Sequence, residues 1–137
     1  MTRLLVVDDV PLFRAGLIAA LTEAGYEVVG EAASAEAGVA AAEIHHPDLV
    51  LLDVLMPGLS GIDVVEKISA VSPSSVVVLL TASESEEDLL AGLKAGARGY
   101  IVKDTPFPQL VEAIQAVAGG GASTSPQMAG KLFDVAR

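Results

Sequence analysis

Five polar residues stand where short aliphatic runs stop: Asp8 and Asp9 after Leu4–Val7, Asp53 after Leu49–Leu52, Thr81 after Val76–Leu80, and Lys103 after Gly99–Val102. Three carboxylates held close repel one another and raise one another's pKa unless a cation lies between them. The chain has no Cys and no suitable His pair, and an all-oxygen ligand set favours Mg²⁺, or Mn²⁺, over zinc. Lys103 brings a fixed positive charge and Thr81 a hydroxyl donor, both suited to phosphoryl oxygens. Such a set is organised for phosphoryl transfer, where positioning and charge neutralisation supply most of the catalysis. Asp53, on a central run and followed by the turn Met56-Pro57-Gly58, is the expected nucleophile toward phosphorus.

Taken singly, these residues mean little. An Asp after a strand is more often a helix cap or a solvated loop residue, Thr81 alone would be a cap or a β-former, and Lys103 alone a surface lysine. Their joint arrival at four strand ends carries the reading, because open α/β sheets bind ligands where the carboxyl ends of their strands converge. The second strand offers only Glu31, to which the pattern assigns no role. His45 and His46, at a helix end before Pro47, have the ordinary place of cationic side chains near a helix C-terminus.

The elements that position these groups are legible as an alternation. The runs Leu4–Val7, Glu27–Glu31, Leu49–Leu52, Val76–Leu80 and Gly99–Val102 predict strands, and several are apolar at successive positions, as in strands buried on both faces. Between them lie helix-period segments. Phe13, Leu17, Leu21 and Ala24 line one face of the first, with Pro11 near its start and Gly25 at its end. Ile62, Val65 and Ile68 follow Ser60, and a fourth helix is expected from Ser83, with Glu86 three residues on as a capping box. The acidic run Glu84, Glu86, Glu87 and Asp88 suits a solvated helix start. The fifth opens at Thr105-Pro106 with Leu110, Val111, Ile114 and Val117 on one side. Strand-then-helix repeats of this kind predict an α/β fold: a parallel sheet with helices on both faces.

The chain has 137 residues, enough for one ordinary domain, and a formal net charge of -10. The acidity is uneven: residues 1–93 hold 15 acids and 3 bases, residues 94–137 hold 3 acids and 5 bases. A surface so acidic repels phosphate backbones, so non-specific nucleic-acid binding is not expected of this chain. No apolar stretch approaches the roughly 18–20 residues of a membrane span, and no signal peptide is visible, so a soluble cytoplasmic protein without membrane contact is expected. Residues 119–126, Gly-Gly-Gly-Ala-Ser-Thr-Ser-Pro, break the composition as a linker does, and Met128, Leu132 and Val135 beyond them fall at helical spacing.

These motifs resemble the receiver domain of bacterial two-component response regulators. The matching elements are Leu4–Asp9, Pro47–Gly58 with Gly61, Leu80-Thr81-Ala82, and Gly96–Asp104. The resemblance implies a flavodoxin-like (CheY-like) doubly wound, five-stranded parallel sheet of order 2-1-3-4-5. By position it makes Asp53 the phosphoacceptor. Asp9 and Asp53, with the Leu55 carbonyl, would bind Mg²⁺ directly, and Asp8 mainly through metal-bound water. Thr81 and Lys103 would hold the phosphoryl oxygens, and Thr81 and Tyr100 would form the switch pair; the alternative for Tyr100 is an edge-strand aromatic packed on a helix, which needs no switching. Leu55 and Ser83 would tune the phosphoryl lifetime.

The run Val10-Pro11-Leu12-Phe13-Arg14, the Gly96–Asp104 segment and the 119–126 stretch resemble the NarL/FixJ subfamily, whose members typically continue into a LuxR-type helix-turn-helix domain. A receiver over residues 1–118 is therefore expected. Residues 119–137 are then a linker and short amphipathic helix toward an effector domain absent from this chain. The resemblance implies a sensor histidine kinase as phosphoryl donor and homodimerisation on phosphorylation. The dimer face would lie around the fourth helix, fifth strand and fifth helix, or around the first and fifth helices, and DNA would be reached only through the absent domain. It also implies a signalling switch catalysing only its own phosphorylation and dephosphorylation, not an enzyme.

Two rivals remain at this level: a phosphorylation-independent receiver-like interaction module, and a Mg²⁺-dependent phosphatase working through an aspartyl-phosphate. Against the phosphatase, the first strand gives Asp8-Asp9-Val10 where haloacid-dehalogenase-type enzymes place Asp-x-Asp. An FMN-binding flavodoxin shares the architecture, but needs a phosphate-cradling loop where this chain has carboxylates.

Overall fold

Strands β1 (Arg3–Val7), β3 (Leu49–Asp53), β4 (Val76–Thr81) and β5 (Gly99–Val102) are buried along nearly their whole length, whereas β2 (Glu27–Ala32) is mostly half-buried or exposed. This is what uninterrupted aliphatic runs dictate, since such a strand hides its backbone only between two covered faces. The computed structural model describes residues 2–54, 61–82, 86–118 and 123–124. Helices α1 (Pro11–Glu23), α2 (Ala35–His45), α3 (Gly61–Val71), α4 (Glu86–Ala95) and α5 (Phe107–Ala118) alternate with the strands. Ser60, Ser83 and the predicted C-terminal helix with Met128, Leu132 and Val135 lie outside the described residues.

All pairings are parallel, and the five strands run 2-1-3-4-5 as expected. A two-residue strand, β6 (Ser123–Thr124), adds to the β5 edge with Gly99 opposite Ser123 and Tyr100 opposite Thr124. No apolar run marks it, and it falls within the stretch whose composition reads as linker.

Alternate strand residues feed two cores. Leu4, Val6, Leu49, Leu51, Val78 and Leu80 meet Leu17 and Leu21 of α1 and Leu110, Ile114 and Val117 of α5. Leu5, Val7, Val50, Leu52, Leu79 and Tyr100 form the other with Ala42, Val64, Val65 and Ile68 of α2 and α3, and Gly92 of α4 lies against Leu79 and Tyr100. Each fully buried Leu or Ile contributes about 1.5–3 kcal/mol, so the two layers hold the strand ends in fixed register.

Local devices fix the helix ends. Pro11 opens α1, and Gly25, at φ +96°, turns the chain into β2. Ser34 caps α2 by accepting from the Ala37 amide at 3.2 Å. At its other end, the Arg3 guanidinium donates to the carbonyls of His45 and His46 at 2.9 and 3.2 Å. Gly38 lets α2 approach the sheet, since a Cβ there would lie 2.8 Å from Val7 Cγ1, directly before Asp8. Among the described residues no helix is long and apolar enough to cross a membrane.

Candidate functional site

Register brings the carboxylates together. Val7 pairs with Leu52, so the residues that follow them, Asp8 and Asp53, emerge side by side from the two central strands. Carboxylate oxygens of Asp8, Asp9 and Asp53 all lie within 4.8 Å of one another. Asp8 and Asp53 are buried and Asp9 is partly exposed. Thr81, fully buried, ends β4 beside them, and its carbonyl accepts the Lys103 amide at 2.7 Å, tying the β5 end to the same rim.

Asp8 is the most firmly held. Its amide donates to the Ala32 carbonyl at 3.0 Å, its Oδ1 accepts from the Val10 amide at 2.8 Å, and its carbonyl accepts from Arg14 Nη1 at 2.6 Å. Its Oδ2 forms an ion pair with Lys103 Nζ at 2.8 Å. Lys103 Nζ is also 3.4 Å from Asp53 Oδ2 and 4.4 Å from the centre of the Phe13 ring. Burial by itself would push the Lys103 pKa down. The short contact to Asp8 and the charges of Asp53 and Asp8 outweigh it, and the net direction is up.

Among the described residues, the Lys103 ammonium lies against two of the three clustered carboxylates. The excess negative charge and the all-oxygen donor set together fit a hard divalent cation such as Mg²⁺. The Leu55 carbonyl, Ser83 and the Met56-Pro57-Gly58 turn lie outside the described residues. Tyr100 is fully buried, and a Cβ at Gly92 of α4 would come within 3.6 Å of its ring.

Two contributors, Arg14 and Phe13, have no strand-end signal in the sequence, and a third, Glu31, stands at a strand end without an assigned role. Arg14, one turn into α1, reaches both the Asp8 carbonyl and, through Nε at 2.7 Å, Glu31 Oε1. Glu31, which the sequence pattern left without a role, thus helps anchor the loop that carries Asp8. Finding this pair required knowing that β2 lies beside β1. Phe13 completes the group beneath Lys103. Arg14→Met is expected to lower stability by about 1–3 kcal/mol, since it strands a part-buried carbonyl. Glu31→Gln should cost well under ~1 kcal/mol, because Glu31 is 55% exposed. Urea midpoints of the two variants check the contrast, and equal losses would contradict it.

Comparison with known proteins meets this geometry. Residues 4–115 match the sequence model described as "Response regulator receiver domain". The chain belongs to that family. It is a family of signalling switches rather than of turnover enzymes. The receiver is 39% identical over 118 residues to the nitrate/nitrite response regulator protein NarL of Escherichia coli, covering 85% of this chain and 55% of that protein. It spans little more than half the length of that relative. Among solved structures, a LuxR-family two-component response regulator from an Aurantimonas species superimposes with a TM-score of 0.92 at 30% identity, covering 98% of this chain and 96% of that one. The signal receiver domain of the putative response regulator NarL from Mycobacterium tuberculosis gives 0.82 at 35% identity, covering 87% and 97%. The relation to NarL/FixJ/LuxR-type regulators is thus close.

Proposed function

We propose that this receiver accepts a phosphoryl group from the phosphohistidine of a sensor histidine kinase onto Asp53 and changes its partner-binding surface in response. The observation that carries the reading is the meeting of the Asp8, Asp9 and Asp53 carboxylates within 4.8 Å, with the Lys103 ammonium against two of them. A carboxylate oxygen of Asp53 attacks phosphorus, an O–P bond forms, and the P–N bond to the imidazole breaks with its electron pair passing to nitrogen. Asp9 and Asp53, with Asp8 through water and the Leu55 carbonyl, would hold Mg²⁺, which supplies charge neutralisation to the incoming phosphoryl oxygens. Lys103 meets one of those oxygens as an ammonium, and Thr81 donates its hydroxyl to another.

The acyl phosphate then biases a two-state equilibrium. Thr81 moves toward the phosphoryl group, with Tyr100, buried beside α4, as its switch partner. Homodimerisation follows, through the α4–β5–α5 or the α1–α5 surface. Residues 1–118 form the switching unit and 119–137 lead toward a DNA-binding output domain, as in the subfamily the sequence resembles.

The test is intact-mass spectrometry of the chain with Mg²⁺ and acetyl phosphate. One phosphoryl adduct is expected, lost when the metal is chelated and absent from Asp53→Ala. No adduct, or one that survives Asp53→Ala, would overturn the assignment. Sustained release of phosphate from varied monoesters would instead favour a phosphatase.

A further inference from the structure

Lys103 is held by more than its carboxylates. Among the described residues its ammonium contacts Asp8 Oδ2 at 2.8 Å, Asp53 Oδ2 at 3.4 Å and the Phe13 ring at 4.4 Å from the centroid. A cation over an aromatic face at this distance is attracted by the ring quadrupole. The ring is itself fixed. Phe107 of α5 lies against it with centroids 5.9 Å apart and planes tilted by 51°. Gly16, one turn on from Phe13, leaves the room Phe107 occupies, since a Cβ there would come within 3.1 Å of that ring.

We propose that Phe13 is a positioning residue for Lys103, and this rests on the phosphoacceptor reading of Asp53. A neutral ring serves where a third carboxylate would not. It attracts the ammonium without cancelling its charge, so the full positive charge stays available to a phosphoryl oxygen. The attraction spreads over the ring face and has no single acceptor atom. The ammonium can therefore shift from the carboxylates toward an oxygen on Asp53 while keeping its contact with the ring. Because α1 carries Phe13 and α5 carries Phe107, the position of Lys103 depends on how these two helices pack.

The test replaces Phe13 in the full chain with phenylalanines bearing one, two and three ring fluorines, which keep its shape and drain the negative face. Asp53 phosphorylation by acetyl phosphate with Mg²⁺ should slow stepwise, by roughly three- to ten-fold at the end of the series. The metal-free melting temperature should fall in the same order, and should not do so in a Lys103→Met background. A phosphorylation rate that stays flat along the series would overturn the proposal. So would equal destabilisation in both backgrounds, which marks plain packing. If the unsubstituted protein takes up no phosphoryl group, the functional reading fails, and the melting series alone decides whether the ring holds the ammonium.

Discussion

Lys103→Met is expected to destabilise the metal-free protein by about 3–5 kcal/mol, the usual cost of removing one partner from a buried ion pair. Asp8 is completely buried, the Asp53 side chain is 3% exposed, and the Lys103 side chain is 15% exposed, so water screens this group little. Without the ammonium, the ion pairs to Asp8 and Asp53 are lost and the repulsion among the three clustered carboxylates is less offset. Added Mg²⁺ should recover part of the loss, because a divalent cation supplies charge to the same oxygens. Recovery of stability does not restore the chemistry. Phosphorylation from acetyl phosphate should remain slower by about 100-fold or more, as when a preorganised group on the developing charge is removed. Urea unfolding with and without Mg²⁺, together with single-turnover phosphorylation, checks both parts. A variant as stable as the parent would show that Lys103 does not neutralise this site.

Asp53→Asn is expected to have the opposite sign on stability and a larger effect on function. The substitution removes one of three mutually repelling charges and the desolvation of a buried carboxylate. Asp8, the closer partner of Lys103 at 2.8 Å against 3.4 Å, keeps its ion pair. The metal-free protein should therefore gain about 0.5–2 kcal/mol, the range typical of relieving strain at a functional site. The rise in melting temperature on adding Mg²⁺ should shrink sharply, since the cation loses a charged ligand. Phosphoryl uptake should vanish. Thermal melts of the two proteins, with and without Mg²⁺, provide the measurement, and an Asp53→Asn protein less stable than the parent without metal would contradict the charge argument.

These paired predictions rest on features with very different visibility in the sequence. The strand ends were legible because a strand buried on both faces must be aliphatic throughout, so Asp8, Asp53, Thr81 and Lys103 stand out where burial of hydrocarbon stops. The helix faces were legible for a similar reason: Leu17 and Leu21, or Leu110 and Ile114, recur at the helical period and are buried in the core they share. The α5 start at Phe107 lies one residue beyond Pro106, because the proline supplies the carbonyl that accepts the Leu110 amide.

Contacts between elements distant in sequence were not legible. Glu31 is an ordinary exposed acid until β2 is known to lie beside β1, where Arg14 spans the two. Phe13 is one apolar residue in a helical stripe until α1 and α5 are known to share a face, which sets its ring under Lys103. Ser123–Thr124 has neither length nor hydrophobicity to signal a strand. It is held by backbone pairing with β5, which depends on geometry rather than side-chain type.

The central claim is that Asp53 itself becomes the acyl phosphate, and borohydride trapping tests it most directly. After incubation with Mg²⁺ and acetyl phosphate, reduction converts a phosphorylated aspartate to homoserine, which peptide sequencing by mass spectrometry locates. The account predicts homoserine at position 53 in a Mg²⁺-dependent manner. Homoserine at position 8 or 9 instead, or none at 53 in a protein that has demonstrably gained a phosphoryl group, would contradict it.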